Sequence, residues 1–314
     1  MEIYNLKDNL PRLNDCYLTM GTFDGCHIGH QKLFSNLSKE AKENKSQSVL
    51  ITFNPHPRHI IQKEKTFPII MGLEKKIEIF QLFNIDHVLI IPFDYEFSKM
   101  KADNFISDII INFFKPKKII IGYDHHFGFN REGTPKFLIE NGKNKGFKVD
   151  VINPIKNKEL IVSSSKIRSF LNDGRVKKAS ILLGRNYGFL ATIQKGSGRG
   201  RELGFPTANF ISEEKNQLIP SKGVYLISAM IHGNSLYGMC NLGVRPTFNE
   251  TEFVMEAHFF DLYDKNIYGE KLEIEFLKRI RDEIKFSNSK ELIKKLKKDK
   301  EDCIRMMQEF KQET

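Results

Sequence analysis

Met20-Gly-Thr-Phe-Asp-Gly-Cys-His-Ile-Gly-His-Gln31 is the stretch that decides the fold. Residues 17–23 read as a short apolar strand. Glycines follow, and a helical pattern starts at Gly29 and runs to residue 45. A strand that passes through glycines into a helix is the first βα turn of an open α/β sheet, where ligands bind outside the strand ends. The helix N-terminus offers free N–H groups and a partial positive charge, both suited to phosphate. Gly21, Gly25 and Gly29 let the backbone approach such a ligand closely. His27 and His30 add side-chain donors in the same turn. Zinc hydrolases use H-x-H or H-x-x-x-H with carboxylates. A spacing of three, with glycine between, favours phosphate over metal.

The same alternation continues outward. Residues 48–53, 87–92, 118–123 and 148–153 are strand candidates. Their cores are unbroken runs such as Ile119-Ile-Ile121, as expected of strands buried on both faces. Helical patterns at 73–83, 103–114 and 135–144 separate them, with Leu73, Ile77, Phe80 and Phe83 at helical spacing. This order predicts a doubly wound parallel sheet, a Rossmann-like α/β fold. Two short helices, 164–172 and 175–183, follow, with Gly174 and Gly184 as stops. From Arg185 the texture changes to alternating strands at 188–193, 224–231, 236–241, 253–261 and 271–280. His232-Gly-Asn-Ser235 reads as a hairpin turn. These segments predict an antiparallel β-barrel with a terminal helix, whose apolar face holds Leu292, Leu296, Cys303, Met307 and Phe310. The expected domains are 1–184 and 185–314.

Composition sets outer bounds. A chain of 314 residues suits two domains, and 40% hydrophobic with 28% charged residues is ordinary for a globular protein. No apolar run reaches membrane-spanning length, and the N-terminus lacks a signal-peptide pattern. Cys16, Cys26, Cys240 and Cys303 are scattered without C-x-x-C, which fits a reducing cytoplasm. The net charge of +10 comes from lysines spread along the chain and interleaved with acids. That pattern reads as a solvated surface biased toward phosphate ligands, not as a nucleic-acid footprint. Assembly state stays open.

Further motifs follow in order. Thr52-Phe-Asn-Pro-His-Pro57 ends the second strand. Gly122-Tyr-Asp-His-His-Phe-Gly-Phe-Asn-Arg-Glu-Gly133 ends the fourth. Val162-Ser-Ser-Ser-Lys-Ile-Arg168 precedes a helix, and there Ser164, Ser165 and Arg168 can clamp a polyphosphate. In the second half, Lys195-Gly-Ser-Gly-Arg-Gly-Arg-Glu-Leu-Gly-Phe-Pro-Thr-Ala-Asn209 is a glycine-rich basic loop. Gly198 and Gly200 let its N–H groups wrap phosphate, though it is no Walker A motif. Thr207 and Asn209, two apart in extended backbone, direct oxygens the same way, and such oxygens suit Mg²⁺.

The G-x-F-D-G-x-H-x-G-H pattern resembles the nucleotidyltransferase superfamily that shares H-x-G-H with class I aminoacyl-tRNA synthetases. With the motifs above, and with G-F-P-T-A-N, Asn241-Leu-Gly-Val-Arg-Pro-Thr-Phe248 and Met255-Glu-Ala-His-Phe-Phe-Asp261, the chain resembles the prokaryotic bifunctional riboflavin kinase/FAD synthetase family from about Thr19 to Asp299. The resemblance implies an FMN adenylyltransferase in the first domain and a riboflavin kinase in the second, with ATP as co-substrate and Mg²⁺ as cofactor. It implies that His27 and His30 stabilise charge on pyrophosphate. It also implies that Gly21, Phe23, Gly25, Gly29, Ser164, Ser165 and Arg168 hold ATP, and that Glu256 is the general base of the kinase. Gly198 and Gly200 would contact kinase phosphates, and Thr207 and Asn209 would hold both metal and ATP. Asp124, Phe127 and Arg245 are flavin-contact candidates. Asn54 stands where the family commonly has an acid, and His125 also departs from the family pattern. The partners implied are riboflavin, FMN and ATP, without nucleic acid or membrane.

Overall fold

The computed structural model describes residues 1–6, 8, 10–61, 67–157, 160–195, 204–231, 233–246, 251–260 and 267–313. The chain divides into two compact units, Met1–Ser164 and Ser165–Thr314.

The first unit is a parallel sheet with helices on both faces. Its elements are β1 (Glu2–Asn5), β2 (Tyr17–Met20), α1 (Ile28–Glu43), β3 (Ser48–Asn54), α2 (Pro57–Ile61), α3 (Leu73–Leu82), β4 (His87–Pro92), α4 (Tyr95–Ser98), α5 (Ala102–Asn104), β5 (Lys118–Gly122), α6 (Pro135–Lys145) and β6 (Lys148–Ile152). The spatial order is β1-β4-β3-β2-β5-β6, every pair parallel. From β2 the chain moves to β3 on one side, and it later returns to β5 on the other. The strand order therefore reverses at β2, and ligands of such sheets bind beyond the strand ends at that reversal.

Successive strand residues feed two cores. Leu18, Met20, Val49, Ile51, Leu89, Ile91, Ile119 and Ile121 pack on one face against Phe105, Ile106, Ile109 and Ile110. Tyr17, Leu50, Val88, Ile90 and Ile120 pack on the other against Leu33, Phe34 and Leu37 of α1 and Ile79 and Phe80 of α3. Both faces being covered is why the strands read as continuous apolar runs.

Two of the local features that differ from the sequence reading are an edge strand and a helix. β1 was not legible: Ile3 is its lone aliphatic residue and is 42% exposed on the sheet edge. The helix expected at 103–114 is mostly π-helix, Phe105–Phe114, closed where Lys115 N–H donates to the Ile110 carbonyl.

The second unit begins with α7 (Ser164–Asn172, whose first residue closes the first unit) and α8 (Val176–Leu183). A small hairpin, β7 (Lys156–Asn157) with β8 (Leu160–Ile161), precedes them. The compact units part at Ser164/Ser165. Both helices bond to the second unit: Ser221 N–H donates to the Leu171 carbonyl, and Tyr187 N–H to Ser180 Oγ.

The barrel is closed and antiparallel, in the order β10-β13-β12-β11-β14-β9. Its strands are β9 (Tyr187–Gln194), β10 (Ala208–Ser212), β11 (Gly223–Ile231), β12 (Asn234–Pro246), β13 (Thr251–Phe259) and β14 (Lys271–Arg281). Tyr187, Phe189, Ala191 and Ile193 alternate inward along β9. The pairs Ile193↔Phe210, Ala208↔Ala257, Cys240↔Ala257 and Tyr225↔Cys240 carry that interior around the wall. β10 went unread in the sequence, because it is only five residues long and its adjacent Phe210 and Ile211 break the alternation beside the glycine-rich run.

The terminal helix α9 (Ser289–Glu313) covers an outer face, where Phe205, Val224, Leu226, Met239, Leu277 and Cys303 cluster with Leu296. Its apolar stripe is interrupted by Asp299, which is fully buried. Arg281 donates to Asp299 through Nε at 2.8 Å and Nη2 at 2.6 Å, and Lys295 lies 3.2 Å away. The side chains of Met307's neighbours from 309 onward, Phe310 included, lie outside the description, as does His232 of the expected hairpin turn. Ile231 nevertheless pairs with Asn234 across that turn.

Breaking a buried ion pair by removing one partner strands the other charge. Asp299→Ala is expected to destabilise the barrel unit by about 3 kcal/mol. The shift of the urea midpoint followed by circular dichroism measures it, and the double variant Arg281→Met/Asp299→Leu should recover much of the loss.

Candidate active sites

The first candidate site is the loop at the C-terminal end of β2. Gly21 N–H bonds the Ile51 carbonyl at 3.0 Å, which anchors the loop's start to the sheet. Within the next turn Phe23, Gly25 and Cys26 all have left-handed backbone, with φ of 47°, 83° and 39°. For Phe and Cys this is costly, on the order of 1–3 kcal/mol each, and persists only where surroundings enforce it. The enforcing group is Asp24, 2% exposed. Its carboxylate accepts from the backbone N–H groups of Ile70 at 3.0 Å and Met71 at 3.1 Å. Further ties come from Gln31 Nε2 to the Cys26 carbonyl at 2.8 Å, and from Ser164 Oγ to the Asp24 carbonyl at 2.8 Å. Lys76, on α3, donates from Nζ to the Thr22 carbonyl at 3.0 Å. Gly25 is obligatory twice over: its φ is left-handed, and a Cβ would meet Ile70 at 2.9 Å.

The loop delivers His27 as the N-cap of α1. His27 Nδ1 accepts from the His30 N–H at 3.3 Å. An accepting Nδ1 carries no proton, so this bond assigns the neutral tautomer with a proton, and hence a donor, at Nε2. The His27 and His30 rings stack at 3.6 Å between centroids and 17° between planes. His30 sits edge-on to Phe23, and its Nδ1 is buried without a hydrogen-bond partner. Its pKa is held well below the ordinary histidine range, first by desolvation, then by His27 and Lys76. Two stacked imidazoles this close disfavour double protonation. The pair therefore offers neutral hydrogen-bond donors to an anion.

The structure brings Gly21, Phe23, Gly25, His27, Gly29, His30 and Ser164 together around this loop. Ser165 and Arg168 lie on α7 in the second unit, Ser165 exposed and Arg168 half-buried. Asp124 is exposed, whereas Phe127 is 8% exposed and packs against Phe105 and Phe137 in the core. His125 stacks on Phe127, and burial pushes its pKa down to about 4, while His126 is exposed. His59 bonds the Phe67 carbonyl through Nε2 at 2.6 Å, a structural role. Asn54 is exposed at the end of β3. Among the described residues, no group of three or more His, Cys, Asp or Glu side chains is arranged to hold a metal ion.

The second candidate site lies on the outer face of the barrel. Asn209 on β10 pairs with Glu256 on β13, and Glu256 pairs with Asn241 on β12. Directly paired antiparallel residues point to the same face with Cβ atoms about 5 Å apart. The three side chains thus form a row opposite to the interior residues Ala208 and Ala257. Asn209 Oδ1 is buried without a hydrogen-bond partner. Two residues along β13, His258 bonds the Pro206 carbonyl through Nδ1 at 2.8 Å, which fixes the backbone just before Thr207. Gly198 and Gly200 lie outside the described residues, and Arg245 is described by its backbone alone.

Asp24, Lys76 and Asn241 were missed by sequence reasoning. Asp24 was visible within the glycine motif. The partners that give Asp24 and Lys76 their roles lie some fifty residues away in sequence, and Asn241 needed the barrel register.

A glycine-rich βα turn with a stacked histidine pair in a reversed parallel sheet, followed in the chain by a barrel with a carboxylate beside two amides, has the chemistry of an enzyme that handles nucleotides. Comparison with known proteins narrows this. Residues 10–166 match the FAD synthetase family model and residues 183–307 the riboflavin kinase model. The bifunctional riboflavin kinase/FMN adenylyltransferase of Buchnera aphidicola subsp. Schizaphis graminum is 37% identical, over 93% of this chain and 94% of its own. The enzymes of that name from Bacillus subtilis and Escherichia coli K12 are 32% and 31% identical, covering 92% and 90% of this chain and 91% and 90% of theirs. A crystal structure described as a macrolide-efflux protein from Streptococcus pneumoniae superposes with a TM-score of 0.86 at 29% identity, covering 96% of this chain and 98% of that one. Among the described residues of this chain no helix is long and apolar enough to cross a membrane. The chain belongs to the bifunctional riboflavin kinase/FMN adenylyltransferase family, with both enzymes in one polypeptide.

The depressed histidines set a pH dependence. The unfolded chain takes up protons near pH 6.5 that folded His30 and His125 refuse, so stability falls as pH drops below that value. For His125 the decline ends near its folded pKa of about 4. Denaturant midpoints measured between about pH 7 and about pH 5, above most carboxylate titration, should fall with acidification, and less steeply in His125→Phe.

Proposed function

We propose that residues 1–184 adenylylate FMN with ATP to give FAD and pyrophosphate, and that residues 185–314 phosphorylate riboflavin with ATP to give FMN and ADP. The observation that carries the first assignment is the pinned loop with its neutral histidine pair. In adenylyl transfer an FMN phosphate oxygen attacks the α-phosphorus, and pyrophosphate leaves with the electron pair of the bridging bond. No protein nucleophile is required. Donors held in advance where charge develops stabilise it without reorganising, a contribution on the order of 10²–10³ in rate per donor. His27 and His30 are those donors, while Gly21, Phe23, Gly25 and Gly29 shape the bed beneath the phosphates. Ser164 ties to the loop through Asp24, and the following Ser165 and Arg168 are assigned to the same nucleotide by their place in the chain. Asp124 stays a flavin candidate. For Phe127, burial in the core favours a supporting role.

The kinase assignment is supported by the Asn209–Glu256–Asn241 row. Glu256 takes the proton of the riboflavin hydroxyl as its oxygen attacks the γ-phosphorus of ATP, within the positioning logic of phosphoryl transfer. Asn209 Oδ1, buried without a partner, and the Thr207 hydroxyl are hard oxygen donors that fit Mg²⁺. When bound there, Mg²⁺ would neutralise phosphate charge. The Gly198–Gly200 segment is assigned to the ATP phosphates and Arg245 to the flavin. Buried thiols at Cys16, Cys26, Cys240 and Cys303, none of them disulfide-bonded, support a reducing, cytoplasmic setting.

One incubation tests the scheme: riboflavin, ATP and Mg²⁺ with the purified chain, and flavins separated by chromatography. FMN and FAD should both form, and absence of both from folded protein overturns the reading. His27→Ala is expected to lower FAD formation 10²–10³-fold while sparing FMN. Glu256→Gln should lower FMN formation by about 10²–10⁴ and leave FAD formation from added FMN intact. Loss of both activities in either folded variant would refute the division of labour.

A further inference from the structure

Lys76 lies in the first turn of α3 and is 5% exposed. Its ammonium reaches the glycine-rich loop, where it donates to the Thr22 carbonyl at 3.0 Å. It forms no ion pair among the described residues. The one buried carboxylate of the loop, Asp24, is already engaged by the N–H groups of Ile70 and Met71. A buried ammonium without a counter-ion is strongly unfavourable. Its place at a helix N-terminus, the positive end of the macrodipole, makes it more so. A cation placed only to steady a carbonyl would not need such a position. The same loop also meets the N-terminus of α1 and the His27–His30 pair, with His30 Nδ1 buried and unpartnered. Donors and a positive charge thus converge on one backbone turn, and among the described residues no carboxylate pairs with the ammonium.

We propose that Lys76 is a catalytic residue of adenylyl transfer, the fixed cation that contacts the ATP phosphate chain and stabilises the charge on departing pyrophosphate. It supplies the full charge that the neutral histidines do not, while they supply directed hydrogen bonds. The inference rests on the loop being the ATP site. Contact with the nucleotide phosphates gives the ammonium a counter-charge that it does not have among the described residues.

The test uses the full chain with Lys76→Met, which fills the same volume without charge, and Lys76→Arg, which keeps the charge. FAD formation from FMN and ATP, riboflavin phosphorylation in the same preparation, and the melting temperature without nucleotide are measured for each. Lys76→Met should lower kcat/KM for FAD formation at least 100-fold. Riboflavin phosphorylation should be unchanged, and the melting temperature equal or higher. Lys76→Arg should restore at least a tenth of the lost activity. Retained FAD formation in Lys76→Met overturns the proposal. So does loss accompanied by a lowered melting temperature, which would make Lys76 a clamp on Thr22. If the unaltered chain makes FMN but no FAD, the reading of the loop fails, and this inference fails with it.

Discussion

The buried carboxylate of Asp24 is the constraint on which the first site depends. It ties a left-handed loop to the Ile70–Met71 backbone and so sets the entry of α1. Without it, Phe23 and Cys26 would relax out of backbone regions that side chains resist. His27 would then lose the geometry that caps α1 and stacks it on His30. Strain, cap and stacked pair are one arrangement, with its foundations in the sheet through Gly21 and Ile51. A rigid bed of this kind lets weak individual donors act together on a charge that appears only during reaction.

The barrel site is built differently. Its chemistry does not sit in one loop but in a row across three strands, held by ladder hydrogen bonds. A slip of one residue in β10 or β13 would turn Asn209 or Glu256 into the apolar interior. Closure of the barrel removes free edges, and the continuous register through Ala208↔Ala257 and Cys240↔Ala257 ties β10, β13 and β12 together. The His258–Pro206 bond extends the same rigidity to the segment that carries Thr207. In the proposed scheme the two sites solve one problem, presenting fixed polar groups to phosphate, by a strained loop in one case and by sheet register in the other.

Legibility followed the range of the interactions. The alternation of buried strands and amphipathic helices identified the sheet because both its faces are covered, a property each segment carries alone. The edge strand β1 and the short β10 were lost, since each has too few apolar residues for periodicity to register. The division into compact units at Ser164/Ser165 was not legible for a related reason. Gly184 stops a helix, but what α7 and α8 bond to depends on Ser221 and Tyr187, and glycine punctuation carries no information about that.

By itself the sequence determined the strand–turn–helix that carries His27 and His30, the glycine requirement at position 25, and the oxygen donors Thr207 and Asn209. These are local because backbone conformation and residue chemistry within a few positions suffice to define them. Only the tertiary structure decided that Asp24 is the anchor of the loop, that the Lys76 ammonium reaches the Thr22 carbonyl in it, and that Asn209, Glu256 and Asn241 form one row. Each of those facts joins residues far apart in sequence, and packing and register, not periodicity, set which distant groups meet.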